Sequence, residues 1–116
     1  MGHQALIFGA GGADNVALGY YAGQRLTGTG AVVIGSEAGM NLTSGGTSVA
    51  VGYRALKAAT NSQQQVAVGH SAGEDITTGN FNTLIGNYAG RKITTGFQNV
   101  AVGFNTMGQS LSLIHI

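Results

Sequence analysis

Short apolar runs recur along the chain at a nearly constant interval: Val16-Ala17-Leu18, Val32-Val33-Ile34, Val49-Ala50-Val51, Val66-Ala67-Val68, Thr83-Leu84-Ile85 and Val100-Ala101-Val102. A glycine closes each run, at Gly19, Gly35, Gly52, Gly69, Gly86 and Gly103, so the first step is 16 residues and the next four are 17. Alanine follows three residues later, at Ala22, Ala38, Ala55, Ala72 and Ala89, with Thr106 as the exception. Polar residues, a Leu or Ile, a threonine and a glycine-containing turn complete most copies. A fixed period of this kind makes each copy one structural unit stacked on the next. Seventeen residues have no room for a helix, a strand and two turns, but they hold two short strands and two bends. The β-branched triplets suit strands, and the recurring glycines supply turn conformations that side chains forbid. The pattern therefore predicts an all-β β-solenoid or β-roll of about six coils, with two short strands per coil.

Stacking turns each repeat position into a file of side chains. The first and third triplet positions point the same way along a strand. They are expected to fill the core together with Leu26, Leu42, Ala59, Ile76 and Ile93 from the second strand. The middle file (Ala17, Val33, Ala50, Ala67, Leu84 and Ala101) then points outward and is apolar as well. Strands apolar on both faces are ordinarily covered on both, so this middle file is expected to meet a partner chain, unless its small residues are simply tolerated at the surface. Lys57, Glu74 and Arg91 occupy one repeat position and Asp75 and Lys92 the next. Opposite charges should therefore alternate up the stack and fix its register.

Residues 15–108 carry the repeat. Residues 1–14 read as a degenerate first coil or cap, since Leu6-Ile7-Phe8-Gly9 resembles a triplet with its glycine but lies too close to the next. Residues 109–116 read as an irregular tail. Its last six, Leu111-Ser112-Leu113-Ile114-His115-Ile116, resemble the in-frame translation of a sequencing-library adapter, so they are expected to be non-native read-through in a metagenomic fragment. An ordinary apolar strand is the alternative.

Charged residues are only 8% of the chain and the formal net charge is +1, which gives no field to attract nucleic acid or an anionic membrane. There is no cysteine, hence no disulfide or thiolate metal site, and no apolar stretch is long enough to insert in a membrane. No cofactor is expected. Gly9-Ala10-Gly11-Gly12-Ala13-Asp14 has Asp14 where a dinucleotide fingerprint needs glycine. Gly69-His70-Ser71-Ala72-Gly73 matches the letters of a nucleophile elbow but belongs to the repeat. His3, His70 and His115 share no ligand spacing. The four carboxylates, Asp14, Glu37, Glu74 and Asp75, form no acid/base pair, so an enzyme is not expected. The threonine file (Thr27, Thr43, Thr60, Thr77 and Thr94) is expected to satisfy turn backbone. Tyr20, Tyr21, Tyr53 and Tyr88 fall in two adjacent files with Ser36, His70 and Phe104. Rings beside polar groups suit a glycan or protein receptor, and tyrosine at an exposed strand end is the plainer reading.

The strings NVALGYYAG, SVAVGYRAL, NTLIGNYAGRKITTG and NVAVGFNTM resemble the repeats of trimeric surface-attachment proteins. Two groups share the likeness: the β-roll head of trimeric autotransporter adhesins, and the repeat region of bacteriophage tail fibres and tail spikes. The resemblance spans residue 15 to about residue 108. The seventeen-residue period and the Thr-Thr-Gly turns at residues 77–79 and 94–96 tilt it toward the phage type. It implies a homotrimer, a structural and adhesive role in host attachment and a place in the virion tail. The adhesin head, at the bacterial cell surface, is the alternative. A polysaccharide-active solenoid enzyme is the alternative of a different class.

Overall fold

The computed structural model describes residues 13–44 and 47–107, so the readings of residues 1–12 and 109–116, with His3 and His115, lie outside the described residues. Each triplet is a strand: β1 (Val16–Leu18), β2 (Val32–Ile34), β3 (Val49–Val51), β4 (Val66–Val68), β5 (Thr83–Ile85) and β6 (Val100–Val102). They form one parallel sheet in chain order. Every triplet position pairs with its equivalent one repeat away, from Val16 with Val32 to Ile85 with Val102. No helix occurs among the described residues. Among the described residues the protein is an all-β solenoid of six stacked strands and about five full turns, and its body measures 35 × 20 × 16 Å.

The closing glycines lie one above another. Their φ values run from 123° to 135°. A Cβ built on Gly19, Gly35 or Gly52 would lie 2.7 Å from the carbonyl carbon of the next glycine in the file. Conformation and space both demand glycine there.

The second strand of each coil does not form among the described residues. After Gly19 the backbone alternates in hand, with φ of 59° at Tyr21 and 56° at Gly23. Amides in this stretch reach alternately back within the coil and across to the next one. Ala22 N–H bonds Gly19 C=O at 3.1 Å, Gly23 N–H bonds Ala38 C=O at 3.0 Å, and Leu26 N–H bonds Gly23 C=O at 3.0 Å. A strand keeps one hand and sends its ladder bonds sideways. This segment spends half of its amides on closing turns, so it adds single rungs to the stack, such as Thr43 N–H to Thr60 C=O at 2.9 Å.

The triplets also face the opposite way from the one expected. Val33, Ala50, Ala67, Leu84 and Ala101 are buried in the core, and Ala17 packs against it. The first and third positions face outward. The middle file is therefore the core wall, not a partner face. The coil is too narrow to take two bulky residues from each strand. One inward residue per triplet meets an alanine and one Leu or Ile from the turns, as in Leu84, Ala89 and Ile93. The expected contribution of Leu26, Leu42, Ala59, Ile76 and Ile93 to the core is as observed.

Size is balanced across the lumen in four of the six coils. The position four residues after the file glycine is itself glycine where the middle residue is large: Gly39 with Val33 and Gly90 with Leu84. Gly23 and Gly73 stand at the same position beside the small Ala17 and Ala67. A Cβ on Gly90 would lie 2.8 Å from Leu84 Cδ1, and one on Gly39 would lie 2.8 Å from Val33 Cγ1. Where the middle residue is Ala50, that position holds the fully buried Leu56. Met107 stands likewise beside Ala101 and packs against the core. Leu56 accepts a left-handed φ of 53° to be there. Filling the void left by two small residues offsets that strain.

Candidate functional site

Two surfaces gather files of like side chains: the outward face of the sheet and the side bearing the rings and charges. On the first, Val16, Leu18, Ile85, Val100 and Val102 are exposed, Val102 to 62%. Val32, Ile34, Val49, Val51, Val66, Val68 and Thr83 are half-buried. Eleven of these twelve outward side chains are aliphatic and Thr83 is the exception. The register stacks them into two straight files along the sheet, spaced by the roughly 4.8 Å between strands. Exposed Phe81 and Phe97 lie just before β5 and β6.

The tyrosines fall into two groups. Tyr53 stacks on His70, with ring centroids 5.0 Å apart. His70 meets Tyr88 edge-on at 5.2 Å, and Tyr88 meets Phe104 at 6.0 Å. The Arg54 guanidinium lies over Tyr53 at 4.9 Å, and that of Arg91 near Tyr88 at 5.5 Å. The result is a continuous file of rings across coils 3 to 6. Tyr20 and Tyr21 pair with each other at 3.9 Å in coil 1, and the coil of Ser36 and Glu37 separates them from that file. A hydrogen bond with Tyr21 pushes the Tyr20 phenol above its ordinary pKa.

Charges of alternating sign climb beside the rings. Arg91 Nε lies 3.2 Å from Glu74 Oε1, and Lys92 Nζ lies 3.5 Å from Asp75 Oδ2, as the register predicts. Lys57 departs from the expected ladder and pairs with Glu37 at 2.8 Å. Arg54 bridges the gap, 3.3 Å from Glu37 and 3.7 Å from Glu74. The contact of Arg54 Nε with Glu37 is one of charge alone, since Nε has no aligned hydrogen-bond acceptor. The Lys57 hydrogen bond, helped by the charges of Lys57 and Arg54, holds the Glu37 carboxyl below its usual pKa despite an opposing effect of burial. Glu37, Glu74 and Asp75 are thus all ion-paired. Ser71, the serine of the elbow-like string, is 97% buried in the turn (3% exposed), whereas a nucleophile must meet its substrate. No cluster of potential metal ligands occurs among the described residues. The threonine hydroxyls donate to turn carbonyls of the next coil, Thr27 to Thr43 and Thr43 to Thr60 at 3.2 Å.

One feature of the interior escaped the sequence reading. The residue before each triplet is polar in five of six coils, and Ser48, Gln65, Asn82 and Asn99 are fully buried. Their side chains tie coil to coil. Asn15 Oδ1 accepts the Ala31 N–H at 2.9 Å, Gln65 Oε1 accepts the Asn82 N–H at 3.2 Å, and Asn82 Oδ1 accepts the Asn99 N–H at 2.9 Å. Asn15 and Asn82 amides also close their own coils by donating to Gly28 and Gly96 carbonyls, and Gln65 does the same to Gly79. The signal was the polar residue in phase with the triplets, at Asn15, Ser48, Gln65, Asn82 and Asn99.

No family model matches the chain, and neither a curated protein nor a solved structure matches it significantly.

Proposed function

We propose that this chain is a structural, self-associating rod segment, three copies of which pack through the outward faces of β1 to β6. In this reading it belongs to a bacteriophage tail fibre or tail spike and serves attachment to the host surface. The observation that carries the self-association is the aliphatic outer face. A parallel sheet apolar on both faces is one that both sides cover, and the coil itself covers only the inner side. Contiguous apolar surface of this kind marks an interaction site. The repeat's resemblance to trimeric attachment proteins supplies the number three and the setting. The file of Tyr53, His70, Tyr88 and Phe104, flanked by Arg54 and Arg91, is the surface offered to a host glycan or protein receptor. The head of a bacterial trimeric adhesin is the second reading. It rests on the Val-Ala-Val-Gly runs of β3, β4 and β6. Genes for tail components beside the locus, against an outer-membrane barrel encoded downstream in the same frame, separate the two.

The test is sedimentation equilibrium of the 116-residue chain across a wide concentration range. The expected species has about three times the 11.7 kDa chain mass. Val49→Glu with Val66→Glu, both on the outward file, abolishes it while circular dichroism stays unchanged. A monomer at every concentration overturns the self-association. Adsorption to a panel of purified bacterial surface polysaccharides, weakened by Tyr53→Ala with Tyr88→Ala, tests the receptor face separately.

A further inference from the structure

Rings and charges repeat together up one side of the stack. Tyr53, His70, Tyr88 and Phe104 stand in coils 3, 4, 5 and 6, with neighbouring centroids 5.0, 5.2 and 6.0 Å apart. These steps are close to the roughly 4.8 Å between stacked strands. A ligand that uses each ring must itself repeat along its length, as an extended polymer does.

The charges beside the rings change sign from coil to coil. Glu37 lies in coil 2, Arg54 and Lys57 in coil 3, Glu74 and Asp75 in coil 4, and Arg91 and Lys92 in coil 5. Each of these carboxylates has a cation within 3.5 Å. Arg54 lies over Tyr53 and Arg91 near Tyr88, so Glu37 and Glu74, which pair with them, also stand beside the rings. An acidic chain laid along the rings passes a carboxylate-bearing coil at every second step, about 10 Å apart. Screening over about 8 Å makes the sign of each coil felt locally. Attraction at coils 3 and 5 is offset by repulsion at coils 2 and 4. The cost of stripping water from the acid groups remains. A basic chain meets the same cancellation. Like charges brought together in this way turn a partner away.

Hydroxyl groups meet no such cost. They donate and accept at once, and partners of both kinds stand beside the rings. Arg54 Nη1 is 3.7 Å from Glu74, beyond hydrogen-bond length, so the outer end of its fork keeps donors for a ligand. Asn87 is exposed and accepts the His70 N–H through Oδ1 at 3.1 Å, which leaves its amide nitrogen to donate outward. Glu37 and Glu74 supply acceptors. Exposed Tyr53 and Phe104 add apolar ring surface beside these polar groups.

We infer that this side takes an extended, uncharged, hydroxyl-rich polysaccharide lying along the solenoid axis over coils 3 to 6. The inference rests on the reading of the ring file as the receptor face, and it narrows the ligand of that face to a neutral glycan. The ion pairs serve as a filter. Their alternation leaves hydrogen bonding in place and gives a charged polymer no net attraction.

The experiment measures binding of the 116-residue chain to immobilised bacterial polysaccharides by surface plasmon resonance. The probes are neutral polysaccharides, and uronic-acid polysaccharides before and after chemical reduction of their carboxyl groups to alcohols. Reduction keeps the sugar backbone and removes the charge. Neutral chains are expected to bind, and acidic chains to bind only once reduced. Tyr53→Ala with Tyr88→Ala should weaken this binding about tenfold, the loss expected of aromatic anchors. Raising salt tenfold should change the affinity less than about twofold, because no charge pair is formed with the ligand. Glu37→Gln with Glu74→Gln should raise the affinity for the unreduced acidic chain about tenfold relative to its reduced form. An acidic chain that binds the unaltered protein and is lost on reduction, or on adding salt, overturns the inference and leaves the receptor face standing. So does binding of a purified bacterial surface protein, but of no polysaccharide, that depends on Tyr53 and Tyr88. If nothing bound depends on Tyr53 and Tyr88, the inference and the receptor face fall together.

Discussion

The inner and outer files of the same six strands are alike in hydrophobicity and opposite in everything else. Inside stand Ala17, Val33, Ala50, Ala67, Leu84 and Ala101, four of which are matched in size to the residue across the lumen: Val33 and Leu84 to Gly39 and Gly90, Ala50 and Ala101 to Leu56 and Met107. Outside stand mainly valine, leucine and isoleucine, with no such matching, five of the twelve exposed and seven half-buried. The inner file is constrained by a closed space, where a methyl group too many or too few costs energy. The outer file is constrained only by strand propensity and by whatever covers it. In a thin coil, side-chain size tells inside from outside and hydrophobicity does not.

That contrast breaks most sharply at β5. Leu84→Ala, on the inner file, is expected to cost about 2–5 kcal/mol. Ile85→Ala, its exposed neighbour, is expected to cost less than about 1 kcal/mol in the monomer, where little of its contact is made. Urea unfolding of the two variants measures the difference, and equal losses would mean that the outer face is covered by the chain itself. Next in size comes the matching across the lumen. Gly90→Ala drives a methyl group against Leu84 and should cost about 1–3 kcal/mol from overpacking. In the Leu84→Ala background the same change should cost less, because the obstructing methyls are gone. A double-mutant cycle is expected to show a coupling of about 0.5–3 kcal/mol, and additive effects would deny the match. The smallest effect lies on the ring-and-charge side. The folded-state pKa of Glu37 is lowered by Lys57 and Arg54. Its contribution is therefore present above the unfolded glutamate value of about 4.3 and is lost as pH falls through the folded value. Glu37→Gln should flatten the acid limb of the stability curve slightly and leave stability near pH 7 little changed, as ion pairs still partly open to solvent contribute little.

The coil boundaries, the in-register parallel stacking and the files of like residues could all be read from the spacing of Gly52, Gly69 and Gly86. The charge ladder of Glu74, Arg91, Asp75 and Lys92 followed from the same count. The direction of the triplets could not. Val-Ala-Val has the same alternation whichever face is inside, and only the width of the lumen chooses. The absent second strand had the same origin. Leu26 and Ile76 were correctly placed in the core, but the alternating hand at Tyr21 and Gly23 is a backbone property that composition does not report. The tyrosines stood in adjacent files on paper. Only the turn geometry carried Tyr53, His70, Tyr88 and Phe104 into one continuous run and left Tyr20 and Tyr21 apart.

The sequence alone determined the period, and the period determined the stack, because equal lengths of chain closing on the same glycine must superpose. The tertiary structure decided which way each strand faces and what seals the interior. Those depend on how much room is left once every backbone amide has found its partner. That room is a property of the closed coil, which no single repeat contains.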